Sequence, residues 1–280
     1  MDRKSSPVGQ VSTADKRQAF RKLHDSGCFA IPNPWDIGSA RYLQGLGFKA
    51  LATTSSGFAW SKGLADMAIT RDLALEHLHE LAAATDLPLN ADFENGFAVD
   101  AAGVGESVRL ACATGIAGVS IEDSTGDKDH PLFSIDEACA RLSAARKAID
   151  QAGADVILVG RAECFLWGRP DLDETIARLK AYAQVGADCL YAPGISSREQ
   201  IAAVVGAVSP KPFNLLVGSA GALTMADIAA LGVRRVSVGG GMARAAWGGF
   251  MRAATALANE GSFDGFAGAA AGRELNQFFG

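Results

Sequence analysis

The sequence predicts a (β/α)8 barrel with extra helices at both ends. Three observations carry this: eight short apolar runs, a longer stretch of helical periodicity after each, and glycines where helices hand over to strands. The runs are residues 28–31, 48–53, 88–92, 116–121, 155–160, 187–191, 212–217 and 235–239. Several are continuously apolar, as in Val156-Ile157-Leu158-Val159, which suits strands covered on both faces of a parallel sheet. Eight such units fit a barrel or a doubly wound sheet. The lack of Gly-x-Gly-x-x-Gly after the first run favours the barrel, and the 280 residues suit one such domain over 1–280.

The helices carry their own start and stop signals. Residues 13–25 read as a helix ahead of the first run, within an N-terminal extension over 1–26. Asp36 with Ser39 opens the next helix, and Thr70-Arg71-Asp72 opens another, with Leu73, His77 and Leu81 at helical spacing. Ser134 with Glu137, Asp171 with Glu174, and Ser196 with Glu199 are capping-box patterns ahead of helices over 138–148, 176–185 and 201–205. Gly47, Gly115, Gly153, Gly186 and Gly232 follow helical stretches, where glycine takes the left-handed stop conformation without a Cβ clash. A C-terminal segment over 259–280 holds helical residues 264–279, and its apolar tip, Leu275 to Phe279, must pack on its own barrel or on a neighbour.

Composition excludes several classes. The net charge is −5 and Lys and Arg are scattered singly, so a nucleic-acid partner is not expected. No apolar run approaches about 18 residues, which argues against a membrane-spanning helix. The polar start does not resemble a secretory signal, so a cytoplasmic protein is expected. Five dispersed Cys without a CxxC pair argue against a disulfide framework and a zinc knuckle. Four His leave little for a histidine-rich metal site.

Chemistry in a barrel sits at the C-terminal ends of its strands. There the sequence places Thr53 to Gly57, then Asp92 and Glu94, then Glu122, then Arg161. Asp92 and Glu94 are two apart and share a side in extended chain. Three converging carboxylates repel one another unless a cation is present, and hard oxygen ligands select Mg²⁺ or Mn²⁺. Arg161 offers a planar fork for a substrate carboxylate. Ser55, Ser56 and Gly57 offer donors for the other end of a small anion. The triplet Gly239-Gly240-Gly241 reads as tight packing first and an anion cradle second, and Cys164 as a buried small hydrophobe.

These residues also carry a resemblance. Asn33-Pro34-Trp35-Asp36-Ile37-Gly38-Ser39, Asp92-Phe93-Glu94-Asn95-Gly96-Phe97, Ser120-Ile121-Glu122-Asp123 and Gly160-Arg161-Ala162-Glu163 resemble the signatures of the isocitrate lyase / phosphoenolpyruvate mutase superfamily. The match runs from about residue 25 to 245. The resemblance implies a barrel whose last helix is exchanged with a neighbouring subunit in a dimer or tetramer. It implies Mg²⁺ held by Asp92, Glu94 and Glu122, partly through water, with Asp66 as a further acid nearby. It places Trp35, Ser56, Gly57 and Arg161 around a 2-oxo acid, with metal-stabilised enolate chemistry. Two departures stand out. Glu94 stands where Asp is commoner. The loop over 124–133 lacks both the Cys of the lyase members and the Asn of the mutase members. Lys128 and His130 are the loop's candidate proton carriers. Phe58, Phe165, Tyr191 and Asn214 are expected to set substrate choice.

The leading expectation is therefore a Mg²⁺-dependent lyase that cleaves or decarboxylates a small 2-oxo acid or its adduct. Phosphonomutase or phosphonopyruvate-hydrolase chemistry is the first alternative. A non-catalytic oxo-acid-binding barrel is the second, and a flavin or nicotinamide barrel a distant third.

Overall fold

Each of the eight apolar runs coincides with a strand in the computed structural model, which describes residues 11–280, with β4 and β5 running one residue past theirs. The strands are β1 (Phe29–Ile31), β2 (Leu51–Ala52), β3 (Leu89–Asp92), β4 (Gly118–Glu122), β5 (Ile157–Arg161), β6 (Cys189–Tyr191), β7 (Phe213–Leu216) and β8 (Arg235–Ser237). They form one parallel sheet in the order β1-β8-β7-β6-β5-β4-β3-β2. The Ala52 N–H donates to the Pro32 carbonyl at 3.0 Å across the remaining seam, which nearly closes a (β/α)8 barrel. The first ten residues, part of the N-terminal extension expected over 1–26, lie outside the described residues.

The helices among the described residues are α1 (Thr13–Leu23), α2 (Ile37–Gly45), α3 (Ser55–Ser61), α4 (Arg71–Ala84), α5 (Ala101–Ala113), α6 (Ile135–Gln151), α7 (Leu172–Gln184), α8 (Arg198–Val208), α9 (Met225–Ala230), α10 (Gly241–Glu260) and α11 (Gly272–Phe279). Asp36 and Ser39 form a reciprocal cap, as do Ser134 and Glu137. Two expected boxes differ. Helix α8 starts one residue later, capped by Ser197 with Gln200. Asp171 caps α7 alone, because the Glu174 carboxylate accepts from Arg178 instead, at 2.8 and 3.1 Å. Residues 264–279 are not one helix but a 3-10 turn over Asp264–Phe266 followed by α11. Helix α3 is unforeseen: the Thr54 hydroxyl accepts from the Gly57 N–H, which turns the polar stretch after β2 into a helix start.

Helix α1 plugs the N-terminal mouth of the barrel. Lys16 Nζ donates to the Ala82 and Thr85 carbonyls at 2.9 and 2.5 Å, and Arg17 donates to those of Cys112 and Ile116. These cations meet orphan carbonyls at the ends of α4 and α5. Phe20, fully buried, thereby joins Ile31, Ala52, Ile157, Val159 and Cys189 inside the barrel. Gly118 is needed there, since a Cβ would fall 2.7 Å from Phe20 Cε1 and 2.5 Å from Asn90 Oδ1. The larger core lies between sheet and helices, around Leu78, Val108, Leu142 and Leu179.

Beyond β8 the chain packs sparsely. Only Ala243 is buried on α10, while Trp247, Phe250, Met251 and Leu257 are exposed. The terminal tip rests on its own chain: Phe278 lies 4.9 Å from Tyr42 on α2, between ring centroids.

Candidate active site

A cavity of about 170 Å³ opens among the C-terminal strand ends, lined by Asn33, Ser55, Ser56, Asp66, Asp92, Arg161 and Tyr191, and reaching down to Asn90 and Arg235. A larger open hollow of about 410 Å³ lies on the outer face of α5 and α6, around Gly105, Arg109 and Lys147. No strand end reaches that hollow, so the chemistry belongs to the smaller one.

Arg161 organises the cavity. Its Nη1 donates to Asp92 at 3.0 Å and lies 3.2 Å from Glu122, and its Nε donates to Glu163. The register explains the meeting: Arg161 pairs with Glu122 on β4 and with Tyr191 on β6, and its guanidinium sits 5.1 Å from the Tyr191 ring centroid. Asp92 also accepts from the N–H and hydroxyl of Ser55, both at 3.0 Å. The Asp92 N–H donates to Thr53 Oγ1 at 2.8 Å, so β2 fixes the end of β3.

The acids are in excess over this one cation. Burial pushes Glu94 up to about 8, helped by the charges of Asp92 and Asp66. Glu122 is raised well above the ordinary range by burial, against the pull of Arg161. Asp66, on the rim, is raised by partial burial and by Asp92. Glu94 Oε1 is buried without a hydrogen-bond partner among the described residues. Strand β3 stops at Asp92 and Glu94 takes a left-handed φ of 45°. The expected alternation in extended chain therefore does not apply at Glu94, although its carboxylate still senses Asp92 and Asp66. A left-handed glutamate is strained, a cost that concentrates where function fixes the backbone.

The donor set fits a hard divalent cation: carboxylates only, mutually repelling, one with an orphaned oxygen. No three Asp, Glu, His or Cys among the described residues stand close enough to ligate one ion together. A cation here would thus be held by few direct carboxylate bonds and otherwise through water, the usual habit of Mg²⁺.

Groups behind the cavity hold it in place. Asn33 Oδ1 accepts from the Val238 and Gly239 N–H groups at 2.9 Å each, and its Nδ2 donates to the Thr53 carbonyl. This joins β1, β2 and β8, and it takes up the Gly239 N–H, one of the groups that an anion cradle at the glycine triplet would use, while the Gly241 N–H donates to the Val238 carbonyl. Gly240 packs close on Ser56 and Trp60, and Gly241 on Gly218, so the triplet packs tightly. Asp123, one residue past Glu122, is buried against Arg178 at 3.0 Å and the Tyr182 hydroxyl at 2.6 Å, and accepts from the Glu163 N–H. Arg178 also donates to the Phe133 carbonyl at 2.8 Å, and the Phe133 N–H donates to the Asp123 carbonyl. The loop over 124–133 is anchored at that point and by the Ser124–Leu132 bridge.

The structure brings Asp66, Asp92, Glu94, Glu122, Arg161 and Ser56 together. Others stand apart. Lys128 and His130 are exposed at the loop tip, with His130 lying 3.6 Å from Asp127. Trp35 lines a separate hollow with Trp247 and Phe250. Gly57 is buried among Thr54, Trp35 and Ala243, and its N–H serves the Thr54 cap. Asn214 lies deep in the barrel, bonded to Arg235 and Ser237. Sequence reasoning gave no role to Glu163, Asn33 or Arg235. For Glu163 the signal was present: it lies two residues after Arg161.

Residues 20–258 match the phosphoenolpyruvate phosphomutase family. A crystal structure from Burkholderia cenocepacia J2315, solved as a candidate lyase/mutase, is 49% identical with a TM-score of 0.92, covering 95% of this chain and 97% of that one. An oxaloacetate decarboxylase of Paraburkholderia xenovorans is 31% identical over 80% of this chain and 75% of its own length. The structure of an oxaloacetate acetylhydrolase with its product oxalate is 26% identical, TM-score 0.84, covering 96% of this chain and 94% of that one.

Proposed function

This chain belongs to the phosphoenolpyruvate phosphomutase family, within the superfamily that includes isocitrate lyase, and we propose that it is a Mg²⁺-dependent lyase of a small 2-oxo acid. The reaction is carbon–carbon cleavage or decarboxylation next to an enolate. The observation that supports this most is the surplus of acid around Arg161: Asp66, Asp92, Glu94 and Glu122, with Glu94 Oε1 unpartnered among the described residues. The named activities of the oxaloacetate decarboxylase and oxaloacetate acetylhydrolase relatives agree with it.

Asp92, Glu94 and Glu122 would hold the ion, Mg²⁺ or Mn²⁺, which when bound supplies Lewis-acid polarisation of the substrate's oxo group. The chain's own residues do the rest. With the acids' charge balanced in this way, Arg161 would be free to turn its fork to the substrate carboxylate. Ser55 holds Asp92 in position through two donors. Ser56 lines the cavity, with its hydroxyl 3.1 Å from Thr54 Oγ1. Lys128 and His130 reach the cavity only if the anchored loop folds over it, and there they deliver the proton that ends the reaction.

The test is a screen of oxaloacetate, 2-methylisocitrate, 2,3-dimethylmalate and phosphonopyruvate with Mg²⁺, each corrected for turnover by Mg²⁺ alone. Loss of a 2-oxo acid that stops with chelation, and that Asp92→Ala lowers at least about a thousandfold, supports the reading. Turnover unaffected by chelation refutes it. Phosphate release from phosphonopyruvate alone would instead select phosphorus–carbon chemistry. Binding without turnover would select a non-catalytic barrel.

A further inference from the structure

We propose that Arg235 is an anion subsite at the cavity floor, taking the distal carboxylate of a four-carbon 2-oxo diacid. This deepens the lyase reading and rests on it for the presence of an oxo acid in the cavity. Arg235 opens β8, is 1% exposed, and lines the same cavity as Asp92 and Arg161. Its protein partners are neutral: Nε donates to Asn214 Oδ1 at 2.8 Å and Nη1 to Asn90 Oδ1 at 3.3 Å.

Arg178, also buried, is charge-compensated by Asp123 and Glu174, whereas Arg141, on α6 away from the cavity, is held by the carbonyls of Val99, Asn95 and Ala98. Arg235 forms no ion pair among the described residues, and the ionisable groups that couple to it, Cys189, Tyr191 and His24, are all neutral at ordinary pH. A buried cation without a counter-charge is costly, so such a group at a ligand cavity marks where an anion belongs.

The surroundings hold that charge ready. Asn214 Nδ2 donates to Ser237 Oγ at 2.9 Å, and Asn90 Nδ2 to Ser120 Oγ at 3.0 Å. Both amides are thereby turned with their oxygens toward the guanidinium. Below, the Phe20 ring sits with its centroid 6.0 Å from Arg235 Cζ and closes the barrel, so the open side of the fork faces up the cavity. Arg161, Tyr191, Asn214 and Arg235 lie on one register row across β5 to β8. Three strand spacings of about 4.8 Å separate the two arginines around the wall. Both point inward, which matches a ligand with an anionic group at each end.

Binding to the Mg²⁺-loaded protein tests this by calorimetry, with three probes: oxalate, 2-oxobutyrate and the non-enolisable diacid 3,3-difluorooxaloacetate. The wild type should prefer the four-carbon diacid over 2-oxobutyrate by about ten- to a hundredfold, the scale of a charged hydrogen-bonded contact. Arg235→Met should abolish that preference and leave oxalate within about threefold, while Arg235→Lys keeps part of it. Equal wild-type affinity for the diacid and 2-oxobutyrate overturns the proposal without any variant. So does a uniform loss for all probes in Arg235→Met. If the wild type binds none of the three, the oxo-acid reading itself fails, a distinguishable result.

Discussion

Replacing Arg161 by Met should steepen the pH dependence of stability that the buried, raised acids already give the wild type. The guanidinium now offsets Asp92, Glu122 and Glu163, and the two glutamates are 6% and 3% exposed. Removing it strands two carboxylates in low dielectric, a loss of about 3–5 kcal/mol for a broken buried pair. Protonation caps the loss. Holding one glutamate neutral at pH 7 against an unfolded value of 4.5 costs about 3.4 kcal/mol, and at pH 5 under about 1 kcal/mol. The sign follows: an acid whose folded pKa is raised keeps its stability below the unfolded value and loses it as pH rises toward the folded one. Urea unfolding of variant and wild type at pH 7.5 and 5.5 reads this directly. The gap should be about 3–5 kcal/mol at the higher pH, some 10 °C in melting temperature, and shrink by more than half at the lower. A gap that is small, or equal at both pH values, would show that Arg161 is not the counter-charge of this cluster.

Three further outcomes follow from the same structure. His24 and His77 are buried, and burial lowers them to about 3 and about 4. For a base held neutral in the fold, stability is lost as pH falls below about 6.5, by about 2 kcal/mol per histidine at pH 5. His77→Leu should remove about half of that acid slope in urea titrations, and an unchanged slope would contradict the assignment. Gly118→Ala should cost about 1–3 kcal/mol through its clash with Phe20 and Asn90, seen as a lower urea midpoint; a neutral result would mean that α1 does not seal the barrel. We also propose that the exposed Trp247 and Phe250 of α10 pack in a homo-oligomer. Light scattering should find a dimer or tetramer that Trp247→Ser with Phe250→Ser dissociates, and a monomeric wild type at micromolar concentration would end that idea.

The barrel was legible because parallel strands buried on both faces leave continuous apolar runs, and because Asp36, Ser134 and the helix-stop glycines are local devices. The left-handed φ values of Gly47, Gly115, Gly153, Gly186 and Gly232 are set by a few adjacent residues. The acids were legible for a similar reason: a strand end is a sequence position. What stayed hidden depends on partners far along the chain. Arg161 read as free for substrate, but its neighbours Glu122 and Asp92 arrive from other strands. Asp123 sits beside Glu122 yet faces Arg178 and Tyr182, 55 and 59 residues away.

The barrel floor is the instructive case, because its signal was in the sequence at a different period. Arg234 and Arg235 are adjacent, and in a strand adjacent residues face opposite sides. Arg234 turns out to the Gly27 carbonyl, and Arg235 turns in. The same period of two runs through Ser120 and Glu122, Asn90 and Asp92, and Arg235 and Ser237, with Asn214 between them on β7. A barrel filled only for stability would place branched aliphatics at such inward positions. Here polar residues take them on β3, β4, β5, β7 and β8, and Asn90, Asp92, Ser120, Arg161, Arg235 and Ser237 line one cavity. Buried polar groups must be paired, and the asparagines and serines are. The guanidinium of Arg235 is hydrogen-bonded, but its charge is not matched by any acid among the described residues. A stability account of the barrel explains the asparagines and serines; it does not explain that charge, which makes sense only with an anion above it.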